Sequence, residues 1–405
     1  MAWTVGYVLL QLLFWISIGL LLHSYVFYHI IMRLLARSKN ANLIQYSAED
    51  TWPRVAILMA AHNEEEVLAQ KMETLINQDY LSDRIQIFVG SDASTDKTNG
   101  ILHKYAKTHD HVHFHLFKER KGKPGIINTL AQEAMWMGEP ADEELFLLTD
   151  ASVMLEPDVI TKLAAHFKNP KVGLVDAHMH YTGMEKDGIS TAEDTYLNQE
   201  VRLKQAESMA FGTMMGPFGG CYMMRSELYH PIPPSFLVDD FFLSMQVFRK
   251  GKQCINELSA ICREPVTHKL SEEFRRKKRI AAGNFQNLKY FRSMLNPFSP
   301  LGFSFISHKV IRWIGPILIL MALLSSAALM LFYGSIFFSC VTVLILICAF
   351  LFPLMDSLFS AFGLHIGLLR KIRYFNLMNV AMMAGMIHYV KGVKNNIWQP
   401  TERVV

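Results

Sequence analysis

Two adjacent carboxylates, Asp239 and Asp240, stand in the apolar run Phe236, Leu237, Val238, Phe241, Phe242. A hydroxyl that attacks carbon must lose its proton in the transition state, and a positioned carboxylate can take it. Desolvation among phenylalanines raises a carboxylate pKa toward that task. The plain alternative is a capping pair on the helix that follows. Solvent-facing caps rarely sit between such aromatics, so chemistry by the pair Asp239 and Asp240 is favoured over capping.

The other polar motifs suit a nucleoside diphosphate. Asp150, Ala151 and Ser152 follow an apolar run. One carboxylate, with an oxygen ligand at Ser152, can hold Mg2+ or Mn2+ against a diphosphate, although an Asp–Ser turn is the commoner meaning of such a tripeptide alone. Lys121, Gly122, Lys123 and Pro124 offer positive charge and free amides where a helix begins, which is a phosphate site or a solvated basic turn. Asn63, Glu64 and Asp92 could accept from base and ribose hydroxyls, while Asn63 and Asp96 also occupy capping positions. The loop Gly216, Pro217, Phe218, Gly219, Gly220 lets a substrate approach backbone or simply makes a tight turn. Arg275, Arg276, Lys277, Lys278, Arg279 and Ile280 open a helix. This cationic run either neutralises a departing diphosphate, with Arg279 as the candidate, or meets lipid headgroups.

These motifs need elements to bring them together. Short apolar runs at 55–60, 85–90, 112–117, 145–148 and 172–177 alternate with helical patterns starting near Glu64, Asp96, Lys123 and Pro157. Such alternation predicts an α/β fold with a mostly parallel sheet covered on both faces. Its ligands belong beyond the carboxyl ends of the strands, where the motifs fall, so one cleft is expected.

The chain has 405 residues, 51% of them apolar and 19% charged, with a mean hydropathy of +0.17. The apolar excess lies at the two ends. Residues 5–32 can cross a bilayer. Arg33, Arg37 and Lys39 follow, which puts the N-terminus outside and the next domain in the cytoplasm. The absence of a basic start and a cleavage site argues against a signal peptide. Residues 299–313 suit the membrane interface, 314–333 and 336–354 are two further spans, and 376–390 either crosses or lies against the bundle. The expected divisions are therefore a membrane helix over 1–40, a cytoplasmic domain over 50–295, and an interfacial segment with membrane helices over 296–405. A net charge of +4 without a basic stripe speaks against nucleic acid. Five cysteines without a C-x-x-C pair predict neither a disulfide framework nor a zinc site.

The order of these motifs resembles the membrane-integrated family 2 glycosyltransferases of GT-A (Rossmann-like) fold, the branch with hyaluronan, chitin and poly-N-acetylglucosamine synthases. The resemblance covers about residues 50–295 and extends to the flanking membrane segments. It implies that Glu64 and Asp92 bind the donor nucleotide, that Asp150 stands for a D-x-D metal and diphosphate element, and that Asp240 supplies the base. Arg276, Arg279 and Ile280 match a Q/R-x-x-R-W element in part. The ending Trp398, Gln399, Pro400, Thr401, Glu402, Arg403 is similar to a W-x-P-T-x-R tail. Two departures stand out: Ser152 replaces the second Asp of D-x-D, and Ile280 replaces a Trp that stacks on the acceptor sugar in polymerising members. The resemblance thus implies an inverting transfer from a nucleotide-sugar, a UDP-sugar by preference, in the plasma membrane. The acceptor is lipid-linked or a glycan, met at Phe218, Gly219, Gly220 and Ile280. A processive synthase that exports its product is the alternative. From another class, the lone carboxylate at Asp150 favours a catalytically silent assembly partner; Asp92, Asp240 and Arg279 argue against it.

Overall fold

The computed structural model describes residues 2–137, 143–183, 190–265, 270–393 and 396; the tail motif at 398–403 lies outside them. The chain divides into two compact units.

One unit holds residues 35–183, 200–267 and 393–405. Its sheet consists of β1 (Arg54–Ala61), β2 (Ile85–Asp92), β3 (Val112–Phe117), β4 (Glu144–Asp150), β5 (Met154–Leu155), β6 (Val172–Thr182), β7 (Cys221–Arg225) and β8 (Gln253–Pro265). They run in the order β3-β2-β1-β4-β7-β6-β8-β5. β1 and β4 read as unbroken apolar runs because helices cover both faces, and nearly every residue of β1 is buried. The strand runs expected at 55–60, 85–90, 112–117, 145–148 and 172–177 all form. The sheet is mostly parallel, as expected, and antiparallel pairings enter at β7 and β5, while β6 and β8 pair in parallel. β1 to β4 are parallel, but β7 runs antiparallel to both β4 and β6, and β5 runs antiparallel to β8. This reversal places the site. Thr149 of β4 pairs with Cys221 of β7, so the glycine-rich loop that enters β7 arrives beside Asp150 at the carboxyl end of β4. Had β7 been parallel, the same loop would lie at the amino end of β4, away from Asp150.

The other unit holds residues 1–34, 184–199 and 268–392. Among the described residues, three helices are long and apolar enough to cross a membrane: Thr4–Ala36, Gly315–Tyr333 and Ile336–Ala361. Phe14, Ala322, Leu329 and Phe338 form a shared core between them. Many of their other apolar residues, such as Leu9, Leu12, Leu324 and Leu331, are exposed, as lipid-facing side chains are. The interfacial stretch folds as the helix Pro300–Ser304, capped by Ser299, followed by a π-helical turn, Phe305–Val310. The segment around 376–390 belongs to a longer helix, Gly367–Val390. It crosses the helix Leu270–Tyr290 closely at Gly385, where a Cβ would come within 2.6 Å of the Lys278 carbonyl oxygen.

Candidate active site

Four side chains converge where β4 and the loop before β7 meet. Lys123, from the first turn of the helix Gly122–Met137, donates to Asp150 Oδ1 at 2.7 Å and lies 3.4 Å from Asp239 Oδ2. Burial pushes the ammonium down, but Asp150, Asp239 and Asp240 outweigh it and hold it above the ordinary lysine range. Asp150 remains 41% exposed, so it can receive a ligand. Asp239 and Asp240 open the helix Asp239–Arg249, where the positive end of the helix dipole favours carboxylates. Burial raises the Asp240 pKa, Asp239 adds to the rise, and Lys123, the Phe241 amide and Lys204 oppose it, leaving it at about 6. That is suited to a group that must be ionised near neutral pH yet accept a proton. Asp239 Oδ2 and the Tyr222 hydroxyl are buried without a hydrogen-bond partner. Asp239 Oδ2 keeps its ion pair with Lys123, and it and the Tyr222 hydroxyl retain hydrogen-bonding capacity beside the exposed Asp150 carboxylate.

The loop 216–220 closes over this cluster. Gly219 has φ +85°, and a Cβ there would lie 2.5 Å from Asp240 Oδ2. Asp150 N–H donates to the Gly220 carbonyl at 3.1 Å, as does the Thr149 hydroxyl at 3.0 Å. The loop is therefore tied to β4 on one side and abuts Asp240 on the other.

The remaining expected donor contacts pack against one another. Asp92 is fully buried, and its carboxylate accepts from Arg120 Nε at 2.9 Å and from the amides of Lys121 at 2.6 Å and Gly122 at 3.2 Å. It thus pins the start of the helix that carries Lys123. The exposed Lys121 contributes its amide to that bond. Asn63, at φ +52°, accepts from the Thr95 amide at 2.8 Å, and the Glu64 amide donates to Thr98 Oγ1 at 2.9 Å, lacing the loops after β1 and β2 together. Ser152 is buried and donates to Glu264 Oε1 at 3.2 Å, so its hydroxyl serves a second acid rather than the Lys123 cluster. Arg276, Arg279 and Ile280 lie on the helix Leu270–Tyr290 of the membrane unit, where Arg276 Nε donates to Glu273 at 3.0 Å.

Several residues that support the site carry no motif. Arg120 bridges Asp92 and His62, with Nη1 2.7 Å from His62 Nε2. Lys71 is fully buried and donates to Thr149 Oγ1 at 2.8 Å and to the Val153 carbonyl, stapling both ends of the turn that bears Asp150. Burial lowers its pKa to about 8. Asp176, within β6, is raised by burial to about 7 against the Lys204 ammonium and the Phe218 amide. A charged residue inside a buried strand demands a partner, and that is the signal which could have singled out Asp176.

Among the described residues, no cluster of three or more His, Cys, Asp or Glu forms a ready-made metal cage. The fit is instead to an ion completed by phosphate: one exposed carboxylate at Asp150, beside the ion pair of Lys123 with Asp239.

A family model for glycosyl transferase family 2 matches residues 56–232, and one for glycosyl transferase family group 2 matches residues 145–355. The chain belongs to glycosyltransferase family 2. This glycosyltransferase is 29% identical over 225 residues to a beta-monoglucosyldiacylglycerol synthase of Nostoc sp., covering 55% of this chain and 44% of that one. It is 25% identical over 249 residues to an N-acetylglucosaminyltransferase of Azorhizobium caulinodans, covering 58% and 60%. The chain thus matches less than two thirds of the length of these curated relatives. The fold is that of GT-A enzymes: a mannosyltransferase of Pyrobaculum calidifontis, solved with GDP-Man and Mn2+, superposes with a TM-score of 0.65 at 18% identity, over 93% of this chain and 99% of that one.

Proposed function

We propose that this glycosyltransferase moves one sugar from a nucleotide-sugar, a UDP-sugar by preference, to an amphipathic acceptor at the bilayer surface, inverting the anomeric centre in a single displacement. The observation that carries the reading is the convergence of Lys123, Asp150, Asp239 and Asp240 under the loop 216–220. Asp240 takes the proton from the acceptor hydroxyl as it attacks. Lys123 neutralises the charge that develops on the leaving diphosphate. A divalent ion at Asp150, Mg2+ or Mn2+, supplies further neutralisation of the diphosphate. Ile280 in place of Trp supports single transfer, since a branched aliphatic chain offers no π face to a sugar ring. The glycolipid synthase among the relatives supports a lipid acceptor.

The test is a donor panel of UDP-glucose, UDP-N-acetylglucosamine and GDP-mannose on detergent-purified protein with added lipid extract. A UDP-sugar is expected to release UDP, and mass spectrometry should show one sugar added to a lipid. A ladder of long lipid-free oligosaccharides would replace single transfer with synthesis of a chain. No nucleoside diphosphate from any donor would leave the silent partner. Excess chelator is expected to abolish release, and Mn2+ or Mg2+ to restore it; full activity in chelator would overturn the role given to the ion.

The same reading sets a topology. Residues 35–137 and the described pair Val393 and Asn396 belong to one compact unit, and Asn396 donates to the Pro234 carbonyl within it. Both stretches must share a side of the bilayer, so the chain crosses an even number of times between them. Gly315–Tyr333 and Ile336–Ala361 supply two crossings, which leaves Gly367–Val390 on the cytoplasmic side. A thiol introduced by Val393→Cys should label from the same side as one introduced by Lys97→Cys; labelling from opposite sides would make the last helix a span.

A further inference from the structure

Asp176 sits in β6 with 1% of its surface exposed. Both of its carboxylate oxygens lie 3.2 Å from the Phe218 amide nitrogen, which donates to them. Lys204, 2% exposed on the helix Ser190–Phe211, brings Nζ to 3.6 Å from Asp176 Oδ2. The same ammonium lies 3.5 Å from the centroid of the Phe218 ring. One loop residue is therefore gripped twice, by its backbone and by its ring. The next residue, Gly219, is the one that abuts Asp240.

A buried ion pair is a poor way to gain stability, because desolvating two charges offsets most of their attraction, and apolar residues of similar volume often do better. What such a pair supplies is a defined geometry. A carboxylate fixes the direction of an N–H, and an ammonium over a ring fixes the plane of the ring. We infer that Asp176 and Lys204 act as one positioning unit that sets the loop 216–220, and through Gly219 the carboxylate of Asp240, for the attack on the sugar. They are positioning residues, and their effect on turnover rests on Asp240 being the base.

The experiment uses the full chain in detergent with Asp176→Asn, Lys204→Met, Lys204→Arg and the double Asp176→Asn/Lys204→Met. Hydrogen–deuterium exchange over 213–222 reads the loop without any turnover. Nucleoside diphosphate release from the three donors reads catalysis, and calorimetry with UDP and Mn2+ reads the donor side. Asp176→Asn and Lys204→Met are each expected to speed exchange at 216–220. Each should lower kcat roughly 10- to 100-fold, the scale of a reacting group displaced by about 1 Å. UDP affinity should hold. The double variant should be no worse than the weaker single, because the pair acts as a unit. Lys204→Arg keeps a cation over the ring and should restore most of the rate. Unchanged exchange, multiplicative losses in the double, or UDP affinity that falls with kcat would each overturn the inference. A wild-type protein that releases nothing from any donor would defeat the transferase reading instead, and the exchange arm would still decide whether the pair sets the loop.

Discussion

Asp240→Asn is expected to reduce turnover by about 10²-fold or more, the usual loss when a general base is removed. The substitution keeps size and removes basicity. The carboxylate lies against Gly219 and accepts the Phe241 amide at 2.7 Å, a bond the Asn side-chain oxygen can keep. The pH dependence follows from its environment. Burial raises the Asp240 pKa to about 6, Asp239 pushes in the same direction, and Lys123, the Phe241 amide and Lys204 oppose them. A base works only when ionised, so kcat should rise as pH rises through about 6 and level off above. In the Asn variant that limb should vanish, while UDP binding measured by calorimetry stays close to wild type. If Asp239→Asn loses the rate and Asp240→Asn keeps it, the roles within the pair are reversed.

Gly219→Ala should come close to the same loss by a different route. At φ +85° an L-residue is strained by about 1–3 kcal/mol. The new methyl would also stand 2.5 Å from Asp240 Oδ2, inside any real contact distance. Either the loop lifts or the carboxylate moves, and a displacement of about 1 Å at a reacting group costs about 10²-fold. Gly251→Ala separates strain from contact: Gly251 has φ +71°, and nothing lies within 4 Å of where its methyl would stand. It should lower the melting temperature and spare kcat. A Gly219→Ala enzyme with wild-type turnover would show that the loop does not bear on Asp240 at all.

The GT-A sheet and most of the groups proposed to react are legible in the sequence. Apolar runs bounded by polar turns mark β1 to β4 because each strand is buried along its length, a property local to the run. Asp150, Lys123, Asp239 and Asp240 are legible for a similar reason: charged residues beside apolar strands or aromatics need a purpose. The reversal of β7 is not, since an apolar pentapeptide reads the same in either direction. Nor is the inward turn of Asp92, which depends on Arg120 and on two amides from a different loop.

By itself, then, the sequence determined the element types, the apolar helices, and the identities of the acids and bases available, because these rest on hydrophobic pattern and residue chemistry over short stretches. Only the tertiary structure decided which of them meet. Ser152 turns to Glu264, Lys71 staples the Asp150 turn, and Asp176 with Lys204 grips Phe218. Each of those contacts joins residues far apart in the chain, and their pairing is set by strand order and register across the sheet, which no local pattern records.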